Sequence, residues 1–130
     1  MIVVDASAVV ELLLRTSKGV RVGDRLARDG GPFLAPHLID PDVMQAFRDL
    51  VRLRQIEPAH AESALAAFVG FPVHRVPHDV LLERMWALRE NLTAYDATYV
   101  VTAELSGATL VTCDAPLSRT PGHRAKVELF

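Results

Sequence analysis

The sequence predicts a single α/β domain over residues 1–130, with a mostly parallel sheet and helices on both of its faces. Short β-branched segments alternate along the chain with longer segments whose apolar residues recur at helical spacing. Strands that alternate with helices need crossover connections, which produce parallel sheets covered on both faces. A length of 130 residues suits one domain with one substantial core, and the chain contains no repeat, low-complexity segment or linker.

The N-terminal part of the chain predicts a strand followed by two helices. Ile2 to Val4 is a β-branched run that closes on Asp5, as a buried parallel strand does. Helical spacing of apolar residues begins after Ser7, the predicted N-cap, and Gly19 is predicted to break this helix. A second, more polar helix then runs to Gly30, because a glycine commonly ends a helix.

The middle of the chain predicts two strands that flank two helices. Phe33 to Ala35 forms a brief strand, which Pro36 ends. The apolar stripe of the next segment predicts a helix from Asp40 to Leu53. A further helix runs from Pro58 to Gly70, since proline suits the first helical position and glycine the end. Val73 to Val76, which lies between two prolines, is predicted to be a strand.

The C-terminal part predicts two helices and two strands. Val80 to Arg89 has helical spacing, with Trp86 expected to pack on its apolar side. A helix capped by Thr93 and stopped by Gly107 follows, and then a buried strand that ends just before Asp114. After a turn, Lys126 to Leu129 forms the last strand.

The composition is that of a folded globular chain and excludes several other classes. Hydrophobic residues make up 50% of the chain and charged residues 23%, which excludes a disordered protein. No apolar run reaches the roughly 18 residues needed to span a bilayer, so we expect no membrane segment. The N-terminus has no basic leader and does not resemble a signal peptide. With Cys113 as the only cysteine, no internal disulfide forms, and we expect a reducing, cytoplasmic setting.

Three acidic residues stand at positions that a parallel sheet brings together. Asp5 and Asp114 each follow a predicted strand, and ligands of such sheets bind beyond the carboxyl ends of the strands. Asp96 lies in the first turn of the helix that precedes the second of these strands. If the two strands are neighbours, the three carboxylates meet at one edge of the sheet.

Two further acids, Asp40 and Asp42, flank Pro41 at the start of a predicted helix. Proline is favoured at the first helical position, so Asp40 is predicted to be the N-cap. Asp42 then falls at the second helical position, where it caps nothing and is free to point into a cleft. We therefore assign Asp40 to structure and Asp42 to chemistry.

Each of the other acids also has a structural interpretation as a helix cap. Asp5 competes with Ser7 for the N-cap of the first helix. Asp114 precedes an Ala-Pro pair, which is a normal start for a helical turn. Asp96 stands three residues after Thr93, the spacing of a capping box, although that motif favours Glu or Gln. For each acid taken alone, both interpretations remain open.

Taken jointly, Asp5, Asp42, Asp96 and Asp114 predict a metal site. Four crowded carboxylates repel one another unless cations neutralise them, and hard oxygen ligands suit Mg²⁺ or Mn²⁺. The formal net charge of −2 argues against a strongly basic nucleic-acid-binding protein. However, with four of the 16 acids assigned to metal, 12 acids remain against 14 basic residues, a remainder of +2. The net charge is therefore neutral evidence.

Several other kinds of site lack support in the sequence. The chain has no Walker loop, no GxGxxG and no GxSxG motif, which disfavours nucleotide cofactors and esterase chemistry. A haloacid-dehalogenase-like phosphatase also places an Asp after its first strand, but it needs a second Asp where this chain has Ser7. The histidines lack the paired spacing of a zinc site, and we expect mostly surface roles for them: His37, His60, His74, His78 and His123.

Three motifs stand out along essentially the whole chain: MIVVDASAVVELLL, a proline-rich approach to an acid-headed helix, and LTAYDATYVVTAELSGATLVTCDAPL. With these motifs the chain resembles the PIN-domain family, and more narrowly the VapC-type toxins of bacterial toxin–antitoxin pairs. This resemblance implies a five-stranded parallel sheet and a Mg²⁺-dependent endoribonuclease, with Mn²⁺ as a substitute. The family acids match Asp5, Asp42, Asp96 and Asp114. Ser7 and Thr112 match polar positions near the family's metal site.

The resemblance also assigns roles and partners. Asp5, Asp96 and Asp114 are expected to hold metal, while Asp42 positions a water molecule. The family usually has Glu at position 42, which leaves direct coordination by the shorter Asp42 in doubt and makes Asp40 the fallback. The implied partners are an RNA substrate, a cognate antitoxin and a second copy of the chain.

Two surfaces are candidates for contact with these partners. The antitoxin is expected in an apolar groove around Leu50, Leu53 and Phe68. Basic residues near the N-terminus are candidates for phosphate contacts, or alternatively form a solvated helix face: Arg15, Lys18, Arg21, Arg25 and Arg28. A different class of function is a PIN-like module that binds RNA or metal with little or no catalysis.

Overall fold

Five short strands form one parallel sheet in the computed structural model, which describes all residues from Met1 to Phe130. The strands are β1 (Ile2–Val4), β2 (Phe33–Pro36), β3 (Val73–Val76), β4 (Thr109–Thr112) and β5 (Lys126–Leu129). Their order across the sheet is β3-β2-β1-β4-β5, and every neighbouring pair is parallel. The predicted parallel α/β fold is confirmed.

Seven helices connect the strands. They are α1 (Ala6–Leu14), α2 (Ser17–Asp29), α3 (Ile39–Arg52), α4 (Pro58–Val69), α5 (Leu82–Ala87), α6 (Ala94–Ser106) and α7 (Ala115–Ser118). Helix α6 begins after the Thr93 cap and ends at Gly107, as the sequence predicts. A 3-10 turn at Asp79–Leu81 precedes α5. None of the helices combines the length and apolar character that a bilayer crossing requires.

The predicted N-cap and end of the first helix and the predicted start of the second are wrong, whereas the predicted end of the second at Gly30 is confirmed. Asp5, and not Ser7, is the N-cap of α1, because its side chain accepts a hydrogen bond from the backbone N–H of Ala8. Helix α1 ends at Arg15 in the left-handed conformation, and α2 begins soon afterwards. Gly19 does not break a helix but lies within α2, where α2 presses on the backbone of α1.

Two predictions in the middle and C-terminal parts also fail. Helix α3 begins at Ile39, one residue before Asp40, so Asp40 is not its N-cap. Ile39 is fully buried, and its place in the core extends the helix towards the N-terminus. Trp86 does not pack against the core, since 70% of its surface is exposed.

The strand order creates a crevice between β1 and β4. From β1 the chain moves to β2 and β3 on one side, whereas from β4 it moves to β5 on the other. Right-handed crossovers in opposite directions place helices on opposite faces of the sheet, and they leave a gap at the carboxyl ends of the two central strands. Val4 of β1 lies beside Val111 of β4, so the residues that follow both strands meet at this gap.

Candidate active site

Asp5 is the most deeply buried acid of the crevice. It follows β1, and only 4% of its surface is exposed. Its carboxylate accepts hydrogen bonds from the Ala8 N–H at 2.9 Å and from the Ser7 hydroxyl at 2.6 Å. Burial raises the pKa of Asp5 from 3.8 to about 6, although these hydrogen bonds and the nearby Thr112 hydroxyl act in the opposite direction. The carboxylate is buried and held in one orientation. A cation bound beside it would offset the cost of burying its negative charge.

Two hydroxyl groups connect Asp5 to the end of β4. The Thr112 hydroxyl donates to Asp5 Oδ2 and accepts a hydrogen bond from the Asp114 N–H at 2.9 Å. The Ser7 hydroxyl donates to Asp5 Oδ1 and accepts from the Cys113 N–H at 2.8 Å. Each hydroxyl thus gives its only proton to Asp5 and accepts a hydrogen bond from a backbone N–H just after β4. Ser7 and Thr112 contact Asp5 directly, and they fix where Asp114 stands.

Asp96 and Asp114 approach each other across the same crevice. Asp96 lies in the first turn of α6, whose cap is formed by the Asp96 N–H and the Thr93 hydroxyl at 3.1 Å. Asp114 caps α7, since its Oδ1 accepts a hydrogen bond from the Leu117 N–H at 3.0 Å. The pKa of Asp96 is raised, chiefly by burial and then by the charges of Asp114 and Asp42. Asp96 and Asp114 therefore each take part in a helix cap and also lie close to other acids of the crevice.

Asp42 is held by a tyrosine that the sequence analysis missed. The Tyr99 hydroxyl donates to Asp42 Oδ2 at 2.8 Å, and only 3% of Tyr99 is exposed. The pKa of Tyr99 is raised by burial first, then by the bond to Asp42, and further by the charges of Asp5 and Asp96. Tyr99 stands three residues after Asp96 and so shares its helix face, which is a signal that the sequence did contain.

Asp40 is paired with an arginine of β3 and not with the acids of the crevice. Its carboxylate forms a bidentate ion pair with Arg75, in which Arg75 Nη2 lies 2.7 Å from Asp40 Oδ1. Arg75 belongs to β3, so the pair joins the start of α3 to the edge of the sheet. The assignment of Asp40 to structure is supported by this pair, although it acts through Arg75 and not as a cap.

The donor set of the crevice fits a divalent cation held partly through water. The charges of the four acids, Asp5, Asp42, Asp96 and Asp114, contribute to the raised pKa of Asp5, Asp96 or Tyr99, and none of the four takes part in an ion pair. No three His, Cys, Asp or Glu side chains are arranged to enclose a metal ion on their own. Mg²⁺ commonly binds one or two carboxylates and keeps several waters, so this looser group of oxygens suits it.

The remaining titratable candidates lie outside the crevice or lack a partner for catalysis. His37, His60 and His74 are exposed, as predicted. Burial raises the pKa of the Cys113 thiol to about 11, and the charges of Asp5 and Glu11 act in the same direction. A thiol that stays protonated is not a nucleophile, so we assign Cys113 no catalytic role.

Comparison with known proteins identifies the family. The PIN domain profile matches residues 2–123. Ribonuclease VapC12 of Mycobacterium tuberculosis is 39% identical over 129 residues, which cover 99% of this chain and 98% of that protein. Ribonuclease VapC9 of the same organism is 38% identical over 122 residues, covering 92% of this chain and 91% of that one.

Solved structures agree in fold. PAE2754 from Pyrobaculum aerophilum has a TM-score of 0.69 at 27% identity, covering 97% of this chain and 81% of its own. Mycobacterium tuberculosis VapC20, described as a toxin that cleaves the sarcin-ricin loop, has a TM-score of 0.59 at 20% identity, with 91% and 93% covered, and shows likeness of fold alone. The chain belongs to the PIN-domain family, and its full-length relatives place it among the VapC ribonucleases.

Proposed function

We propose that this protein is a Mg²⁺-dependent endoribonuclease that acts as the toxin of a toxin–antitoxin pair. The observation that carries the proposal is the group of four carboxylates, Asp5, Asp42, Asp96 and Asp114, at the crevice of a chain related over its full length to VapC ribonucleases. Mn²⁺ has similar ligand preferences and is expected to substitute. RNA as substrate implies the cytoplasm as the place of action.

The residues of the crevice would have different roles in cleavage. A divalent cation, when bound, lowers the pKa of water and offsets negative charge on the phosphodiester oxygens. Asp5, Asp96 and Asp114 would hold this cation, partly through water, with Asp5 oriented by the hydroxyls of Ser7 and Thr112. Asp42 would accept a hydrogen bond from water, since the Tyr99 hydroxyl already fixes its Oδ2 and leaves Oδ1 available. Such outer contacts orient the metal ligands and set their basicity.

The direct test is cleavage of structured RNA by the purified protein, free of antitoxin. We expect cleavage with Mg²⁺, none with EDTA, and a loss of about a hundredfold or more in the Asp96→Asn variant. The matched pair Asp42→Asn and Asp40→Asn separates the two acids that flank Pro41. Asp42→Asn should lose most cleavage, whereas Asp40→Asn should keep it, because Asp40 is engaged with Arg75.

Two results would contradict the proposal. Cleavage that persists in EDTA or in Asp96→Asn would exclude the metal mechanism and point to a contaminating nuclease. Metal binding with no cleavage of any RNA would favour the non-catalytic PIN-like module instead. The phosphatase alternative has lost its support, because the chain belongs to the PIN-domain family and has Ser7 where a second Asp is needed.

An antitoxin is expected in a different groove from the one that the sequence suggested. Phe68 is buried, with 6% of its surface exposed, so it cannot line an open groove. An apolar groove of about 290 Å³ lies instead between α3 and α4, where Met44, Val51 and Leu65 line it. We propose it as the antitoxin surface. An antitoxin that co-purifies with the wild type but not with the Met44→Glu variant would support this assignment.

A homodimer remains a prediction. Leu82 and Trp86 of α5 are exposed, and Tyr95 at the start of α6 lies close to them in sequence and is also exposed. Large apolar side chains grouped on a surface mark protein interfaces more often than isolated ones do. Sedimentation of the free protein, with Trp86→Lys as the variant, would distinguish a dimer through this face from a monomer.

A further inference from the structure

A groove between α2 and β5 carries two guanidinium groups that are free of ion pairs. Arg21 and Arg28 line this groove of about 610 Å³ together with Phe130, and neither arginine forms an ion pair. The Arg21 guanidinium lies 5.5 Å from the centre of the Phe130 ring. Asp24 is the one acid that lines the same groove. Two arginines that form no ion pair therefore line the groove, with an aromatic ring beside them.

The basic residues of α2 have different roles. Arg25 is engaged, because its Nε lies 2.7 Å from a Glu128 carboxylate oxygen and its Nη1 lies 3.7 Å from Asp29. Arg25 thus ties α2 to β5 and contributes little free charge. Arg21 and Arg28 are exposed and lie seven residues apart, which is about 10 Å along a helix. That distance suits contacts with separate phosphates.

The groove begins next to the candidate active site. The Phe130 N–H donates to the carbonyl oxygen of Thr112 at 3.0 Å, so Phe130 lies beside the residue that bonds both Asp5 and the Asp114 N–H. Lys18 and Arg21 are close enough to lower the pKa of Cys113, although burial outweighs them. A polymer bound at the four acids would reach this groove within a short length.

We propose that the α2–β5 groove binds single-stranded RNA next to the cleaved bond, with Arg21 and Arg28 on phosphates and Phe130 against a base. Guanidinium groups bind phosphate oxygens strongly, and aromatic side chains stack on bases irrespective of sequence. The assignment rests on the proposed ribonuclease function, because it gives the groove to the same substrate. An acidic peptide would use the arginines but would have no comparable use for the ring.

Binding measurements separate this groove from the catalytic step. In the Asp96→Asn background, with EDTA present, labelled single-stranded RNA of mixed sequence would be titrated with protein over a range of salt concentrations. Arg21→Ala/Arg28→Ala should bind about tenfold more weakly at low salt, and the slope of log K against log salt should fall by about 1.4, since each phosphate contact contributes about 0.7. Phe130→Ala should weaken binding without changing the slope.

The matched control is Arg48→Ala/Arg52→Ala, which removes the same charge from exposed positions of α3. If both double variants lose the same RNA affinity and both unfold at the wild-type temperature, the loss reflects overall charge and not the groove, and the proposal is overturned. Loss of binding to polyglutamate but not to RNA would assign the groove to a protein partner and overturn it too. If the wild type binds RNA through the groove but never cleaves RNA, the proposed function fails while the groove assignment stands.

Discussion

At the level of single residues, the site is defined by how each acid is fixed. Asp5 has its two carboxylate oxygens engaged by Ala8, Ser7 and Thr112, whereas Asp42 depends on one tyrosine. Local sequence alone left each acid with a choice between cap and ligand. The structure shows why: Asp5 and Asp114 cap helices with one oxygen and also face the other acids.

Tyr99→Phe should reduce cleavage about tenfold to a hundredfold while the fold is kept. The substitution removes the hydrogen bond that orients Asp42, and side chains in the outer shell of a metal site have effects of this size. Its cost in stability should be about 1–2 kcal/mol, because Asp42 is only partly buried and water replaces the lost donor. Cleavage rates and urea unfolding of the same preparations provide the measurement.

The control for this variant is Tyr95→Phe, which deletes the same hydroxyl from an exposed position of the same helix. It should leave both cleavage and stability unchanged. Equal cleavage by Tyr99→Phe and Tyr95→Phe would show that Asp42 needs no support from Tyr99.

In EDTA, the stability of the wild type should fall as the pH rises from about 4 to about 6, relative to Asp5→Asn. Burial raises the pKa of Asp5 to about 6 from 3.8, so the folded state binds the proton more tightly than the unfolded state does. A raised carboxyl pKa therefore stabilises the protonated fold at low pH and destabilises the ionised fold above pH 6. The difference amounts to about 3 kcal/mol.

Urea unfolding at a series of pH values in EDTA would measure this difference. Comparison with Asp5→Asn removes the contribution of the other carboxyl groups, which titrate in both proteins. A wild type that gains stability over this interval relative to the variant would show that the buried carboxylate is better stabilised by Ser7, Thr112 and the Ala8 N–H than its burial implies.

At the level of elements, capping residues, prolines and glycines predicted most helix and strand boundaries, and tertiary contacts determined the rest. Thr93 and Gly107 limit α6 as predicted, since a cap and a left-handed glycine act locally. The start of α3 was missed, because Pro41 is tolerated anywhere in the first turn, where its missing N–H has no helical partner. Burial of Ile39, which local sequence does not reveal, placed the boundary two residues before the proline.

Gly19→Ala should destabilise the fold by about 1–3 kcal/mol or more. A Cβ at this position would lie 1.9 Å from the carbonyl oxygen of Glu11, so α1 and α2 would have to separate. The same substitution at Gly70 is the control, since a Cβ there meets only the Ala67 carbonyl oxygen at 3.7 Å. Thermal unfolding of both variants tests this, and equal midpoints would mean that the two helices shift apart without cost.

At the level of the whole molecule, the topology turns scattered acids into one site. Asp5 and Asp114 are far apart in sequence but follow neighbouring strands, while the N-termini of α3 and α6 bring Asp42 and Asp96 to the same edge. The sequence supported this convergence through the parallel fold. The parallel fold alone did not predict that Tyr99 binds Asp42 or that Arg75 binds Asp40, because each pair joins residues that are far apart in the sequence.

A cation bound at the proposed site would make the stability of the whole fold depend on its concentration. Without metal, the charge of Asp114 contributes to the raised pKa of Asp5, and the charges of Asp114 and Asp42 contribute to that of Asp96, so removing one charge should relieve repulsion. In EDTA, Asp96→Asn should therefore unfold at the same temperature as the wild type or higher. With Mg²⁺ at a hundredfold excess over its Kd, the wild type should gain about 2.7 kcal/mol, or roughly 5–10 °C, and exceed the variant.

The informative result is the reversal of order between the two conditions, measured by thermal unfolding at constant ionic strength. A fold that merely needed Asp96 for packing would leave the variant less stable in both. A non-specific salt effect would raise both proteins equally, and NaCl of matched ionic strength would reproduce it. Only a cation held by these carboxylates would make the more repulsive site the more stable one, because the charges that oppose folding without metal would then be the ones that bind it.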